Sequence, residues 1–93
     1  MGLGIVNETA EARLKRLRMR SWRRGTKEMD LVLGPFADAS LLGMDPGALD
    51  LYDRLLAEND QELILWVTGQ VAAPVEFAGL VAAISGFARA RLA

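Results

Sequence analysis

The chain has 93 residues, 52% hydrophobic and 25% charged, enough for one small core and too apolar for a disordered linker. It contains no cysteine and no histidine, which excludes disulfides, thiolate or imidazole metal sites, and Ser-His or Cys-His catalysis. The net charge of −1 conceals a division: residues 1–27 carry eight bases against two acids, and residues 28–93 carry three bases against ten. Such polarity suggests a basic face and an acidic face, suited to docking on a charged partner.

Fifteen Leu and fourteen Ala against only twelve Val, Ile and Thr favour helices over strands. Residues 1–7 read as a loose lead-in ending in Asn7, a candidate N-cap. A first helix is predicted over Glu8 to Arg23, with Ala10, Leu14, Leu17 and Ser21 on one side and Trp22 beside them. Gly25 is placed to end it in the left-handed conformation, and Thr26 to cap the next helix. That second helix has Glu28 and Asp30 in its first turn and an apolar stripe of Met29, Val32, Leu33 and Phe36. Pro35 is expected to interrupt it with a kink before it fades at Leu42-Gly43.

Asp45-Pro46 marks a third start, followed by Leu49, Tyr52, Leu55 and Leu56 at helical spacing. Asn59-Asp60 breaks this helix and caps a short fourth one with Leu63, Ile64, Trp66 and Val67 inside and Gly69 at its end. Pro74 opens a fifth, striped by Phe77, Leu80, Val81, Ile84, Phe87 and Ala88. The expected fold is all-α, a bundle of about five short helices forming a single domain over residues 1–93. No stretch approaches the roughly 18 apolar residues of a membrane span, and the first 21 residues lack the apolar segment of a secretory signal. Val6 stands where a myristoylation pattern requires Ser or Thr. A cytoplasmic protein, without membrane insertion, is the expectation.

The densest set of functional groups is Trp22-Arg23-Arg24-Gly25-Thr26-Lys27-Glu28-Met29-Asp30, at one helix-helix corner. Capping explains Gly25 and Thr26 but demands neither two adjacent arginines nor Glu28. Arg24-Gly25-Thr26-Lys27-Glu28 resembles the R-G-x-x-E signature of the succinate dehydrogenase FAD-assembly factors. Gly34-Pro35-Phe36-Ala37 continues the similarity into the second helix. A second block, Leu55-Leu56 and then Asn59-Asp60-x-x-Leu63-x-x-Trp66-x-x-Gly69, is also similar, with Asn59 where the family often has Asp. The resemblance spans roughly residues 12–70.

What the resemblance implies is an assembly factor rather than an enzyme. Such proteins bind the flavoprotein subunit of succinate dehydrogenase, often of fumarate reductase too, and promote covalent attachment of its FAD to a client histidine. FAD then belongs to the client, and this chain, monomeric when free, carries no covalent cofactor, no metal and no catalytic residue. Arg24, Gly25 and Glu28 would be the partner-binding signature, with Arg23 and Asp30 as neighbours. Gly25 would allow close backbone approach, Arg24 a bidentate contact to a carboxylate or flavin phosphate, and Glu28 a contact to a client base. Loss of this corner is expected to leave the fold intact, and the basic face of residues 13–27 to steer association. Three other readings start from the same residues. The eight bases suggest a nucleic-acid-binding module, opposed by a pI near 5.3 and by Trp22 being the only aromatic among them. Residues 8–23 suggest a membrane-surface helix, opposed by a narrow stripe without Phe. Glu28 or Asp60 suggests a small enzyme, but no paired carboxylates or phosphate-binding glycine loop accompany them.

Overall fold

The computed structural model describes residues 8–92. Five α-helices account for most of it: α1 (Ala10–Trp22), α2 (Lys27–Ser40), α3 (Pro46–Leu56), α4 (Asp60–Val67) and α5 (Ala78–Leu92). Short 3₁₀ turns follow α2 at Leu41–Gly43 and precede α5 at Val75–Phe77, and no strand occurs among the described residues. The all-α expectation holds. The lead-in and the proposed Asn7 cap lie outside the described residues.

The caps explain where the helices begin. Thr9, extended at φ −74° and ψ 163°, accepts from the backbone N–H of Ala12, so α1 starts at Ala10 and not at Glu8. Thr26, Asp45 and Asn59 cap α2, α3 and α4 in the same way, accepting from Met29, Ala48 and Glu62. Pro46 occupies the first turn of α3, where its missing N–H costs nothing. Gly69, at φ +81°, lies just beyond α4, and its N–H donates to the Trp66 carbonyl.

Two sequence expectations fail here. Gly25 is not left-handed: α1 ends instead on Arg23, at φ −125° and ψ 55°. Pro35 does not interrupt α2, which runs unbroken through it to Ser40. A single missing donor is outweighed by the buried residues on either side, Leu33, Phe36 and Ala37, which anchor both halves of the helix.

The core collects one stripe from every helix: Leu17 from α1, Met29, Leu33 and Phe36 from α2, Tyr52 and Leu55 from α3, Leu63 and Trp66 from α4, Ile84 from α5. α1 and α2 form an antiparallel hairpin in which the Trp22 ring lies across Gly34. A Cβ at Gly34 would collide with that indole, so glycine is required there by packing. The indole N–H donates to Asp38 at 3.2 Å, which fixes the ring at the surface. α3 runs beside α1 in the same direction, since Arg13, Arg16 and Arg24 meet Asp50, Asp53 and Leu56 in order. Buried Ser21 and Tyr52 share a 2.6 Å hydrogen bond inside this seam. Burial raises the Tyr52 hydroxyl to about 12, and the Ser21 hydrogen bond offsets only part of that.

That register overturns the expectation of separate basic and acidic faces. Arg13 pairs with Asp50, Arg16 with Glu8 and Asp53, Arg20 with Asp53, and Arg18 with Asp38. The basic segment is largely neutralised by the acids of α2 and α3, because helix packing brings the two halves of the chain side by side. Hydrogen bonds from Arg16 hold the Asp53 and Glu8 carboxyls below the ordinary carboxylate range. The same pairing pushes the Arg16 guanidinium further up.

Candidate functional site

The connection between α1 and α2, residues 23–26, meets the connection between α3 and α4. Arg24 joins them. Its Nε donates to Asp60 Oδ1 at 2.8 Å, one terminal nitrogen to the Leu56 carbonyl at 2.7 Å, and the other to the Glu58 carbonyl at 2.8 Å. Leu56 is the last residue of α3, where carbonyls lack helical partners and the dipole favours a cation. The Arg24 side chain is only 10% exposed and that of Asp60 only 15%.

Two backbone N–H groups of the corner are held by carboxylates. That of Arg24 donates to Asp30 Oδ1 at 2.6 Å, and that of Gly25 donates to Asp60 Oδ2 at 3.0 Å. Asp60, at the start of α4, therefore uses one oxygen on a guanidinium and the other on the backbone. Two segments about 35 residues apart in the chain are clamped together by this one side chain.

The candidate residues divide accordingly. Arg24 and Asp30 face inward, and each nitrogen of the Arg24 guanidinium already donates one bond within the chain, so the fork is directed at the α3–α4 connection rather than outward. Gly25, Glu28 and Arg23 are exposed. Neither Glu28 nor Arg23 makes an ion pair among the described residues. Glu28 borders a shallow groove of about 260 Å³ together with Thr26, Met29, Asp60, Gln61 and Ile64. A Cβ at Gly25 would lie 3.7 Å from Asp60 Oδ2, an ordinary contact. Neither backbone conformation nor internal crowding requires glycine there. Among the described residues, the bases of the first segment without an ion pair are Lys15, Arg23 and Lys27.

Sequence reasoning assigned Asp60 to helix capping and missed its part in the corner. Its place in the second resemblance block was the available signal. Nothing local in the sequence, however, indicates that it meets Arg24. Among the described residues no group of three or more acidic side chains is arranged to hold a metal ion, and no helix is long and apolar enough to cross a membrane.

Residues 15–88 match the family model described as flavinator of succinate dehydrogenase, Sdh5. Among curated proteins, the chain is 36% identical over 75 residues to a mitochondrial succinate dehydrogenase assembly factor 2 of Mycosarcoma maydis, covering 81% of this chain and 32% of that protein. The protein of the same name from Schizosaccharomyces pombe is 39% identical over 67 residues, covering 72% of this chain and 48% of its own length. The FAD assembly factor SdhE of Acetobacter pasteurianus is 33% identical over 73 residues, covering 78% of this chain and 67% of its own. The chain thus spans less than half the length of these two fungal relatives.

Proposed function

This chain belongs to the family of succinate dehydrogenase flavinators, and from that premise we propose that it is an assembly factor: it binds the flavoprotein subunit of succinate dehydrogenase and promotes covalent attachment of that subunit's FAD. The observation that carries the reading is the exposed set Arg23, Gly25 and Glu28, on a connection whose backbone is held from behind by two carboxylates. Gly25 has no internal reason to be glycine, which supports close approach by a partner's surface. Glu28 makes no ion pair among the described residues and is available for a basic group of the client. Arg23 stands beside them, exposed and without an ion pair among the described residues. Of the five candidate residues, Gly25, Glu28 and Arg23 contact the client, while Arg24 and Asp30 serve from the inner side.

The mechanism is positional. A rigid docking surface holds the client in the conformation from which flavin attachment proceeds, an effect of orientation and population rather than of proton transfer by this chain. It is not an enzyme in this reading, and the flavin remains the client's. The proposal also takes the flavoprotein subunit of fumarate reductase as a second client, a cytoplasmic location and a monomeric free state. Nucleic acid is a poor alternative partner, because five of the eight bases that suggested it are held in ion pairs.

The test is co-purification with the flavoprotein subunit, followed by in-gel flavin fluorescence of the denatured client. Wild-type chain should raise the covalent flavin signal, and Gly25→Arg, still folded, should abolish the gain. Undiminished flavin attachment with Gly25→Arg and Glu28→Gln would remove the corner from the function. Cell fractionation, light scattering and a parallel pull-down of the fumarate reductase subunit test the remaining parts.

A further inference from the structure

We propose that Asp60, acting through Arg24 and the Gly25 backbone, is the positioning residue of the docking corner, and that neither the Asp60 carboxylate nor the Arg24 guanidinium is offered to the partner. The inference rests on the docking role argued above and assigns the division of labour within it. Both Asp60 oxygens are engaged, Oδ1 by Arg24 Nε at 2.8 Å and Oδ2 by Gly25 N–H at 3.0 Å. The remaining Arg24 nitrogens are taken by the Leu56 and Glu58 carbonyls. With side chains only 10% and 15% exposed, the pair has little surface to present, and all three guanidinium nitrogens and both carboxylate oxygens already hold a bond within the chain.

The consequence for docking is preorganisation. Residues 23–26 are outside any helix, and such a connection samples many conformations unless tethered. Here the tether comes from the start of α4, across 35 residues of sequence, so the ordering entropy is lost on folding and not on docking. Asp60 also borders the groove that carries Glu28, so the same side chain sets the spacing between Gly25 and Glu28 on one side and α4 on the other. A carboxylate suits this task better than an amide. It accepts on both oxygens, whereas Asn would turn an N–H₂ toward one of two donors.

The test uses the complete chain and the purified flavoprotein subunit of succinate dehydrogenase, with affinities measured by titration well below the melting temperature. Asp60→Asn and Arg24→Lys should each weaken binding about tenfold, and the double variant should bind no more weakly than the worse single one. Amide exchange at Gly25 should accelerate in Asp60→Asn and stay unchanged in Glu28→Gln, which loses a contact without loosening the corner. Should Asp60→Asn fail to fold, Asp60→Glu carries the same test: it keeps the charge but moves the carboxylate outward by one methylene. It should melt close to wild type and still bind weakly. Wild-type affinity in the folded Asp60 variant would overturn the proposal. So would losses that multiply in the double variant, because Arg24 would then contact the client independently. Failure of the unsubstituted chain to bind the subunit is a different result, which brings down the docking reading itself. Gly25 exchange unaltered by Asp60→Asn would show that the corner is held by other means.

Discussion

The seam between α1 and α3 and the corner between Arg24 and Asp60 use the same chemistry, arginine on aspartate, at different depths. Along the seam the partners remain open to solvent, with Arg16 and Asp53 side chains 38% and 30% exposed. At the corner they are nearly enclosed, and each terminal nitrogen of the guanidinium donates to a carbonyl. Water screens the first kind of pair, and its net worth is about 0–1 kcal/mol. Removing one partner of the second kind strands a charge that water reaches only in part, at a cost of about 3 kcal/mol, the low end for buried pairs. The ion pairs that look alike in a contact map are therefore unequal: the seam neutralises charge, whereas the corner holds two connections together.

Arg24→Ala gives the sharpest contrast, and the largest effect. It should destabilise the chain by about 3 kcal/mol in urea titration, because Asp60 and two carbonyls lose their donors together. This revises the expectation that loss of the corner leaves the fold untouched. A loss below about 0.5 kcal/mol would place the corner in the same class as the seam. Gly34→Ala comes next, at about 1–3 kcal/mol, since the added methyl must displace the Trp22 ring. An unchanged melting temperature would show that the indole moves aside freely.

Asp53→Asn should cost only about 1 kcal/mol, and most of that should vanish in 1 M salt, whereas the Arg24→Ala effect should persist. The pH dependence follows from the same group. Because Arg16 lowers the Asp53 carboxyl, the folded state favours the charged form, and the resulting stability is present in full at neutral pH. It is lost as the pH falls below about 4 and through the still lower folded value. Tyr52 acts at the other extreme: its raised value favours the neutral phenol, so stability declines as pH rises from about 10 toward 12. In Asp53→Asn the acid limb of a stability–pH curve should flatten while the alkaline limb stays. An identical acid limb would remove Asp53 as its source. Glu28→Gln should have the smallest effect on stability, about 0.5 kcal/mol or less, because the exposed carboxylate makes no ion pair among the described residues. A larger loss would give Glu28 a structural role and blur the division between inner and outer residues of the corner.

Much of the fold is legible in the chain because its punctuation is local. Thr26, Asp45-Pro46, Asn59 and Gly69 act on the helix termini beside them, and the leucine spacing identifies the buried face of each helix. The R-G-x-x-E corner is legible as a cluster for the same reason, its residues being neighbours in the chain. What the individual residues do there is another matter. Gly25 reads as a left-handed terminator and is not one; Pro35 reads as a break, but the buried residues flanking it keep the helix whole.

The helices, their caps and the location of the candidate corner were determined by the sequence itself, through propensity, periodicity and side chain–backbone bonds spanning three or four residues. The burial of Arg24, the role of Asp60, the need for glycine at 34 and the neutralisation of the basic segment were decided only by the tertiary structure. Each depends on partners 12 to 37 positions away, as in the Trp22–Gly34 and Arg16–Asp53 contacts. No local energy term specifies which face of α1 meets α3, and the charge of a side chain says nothing about whether water or another side chain will balance it.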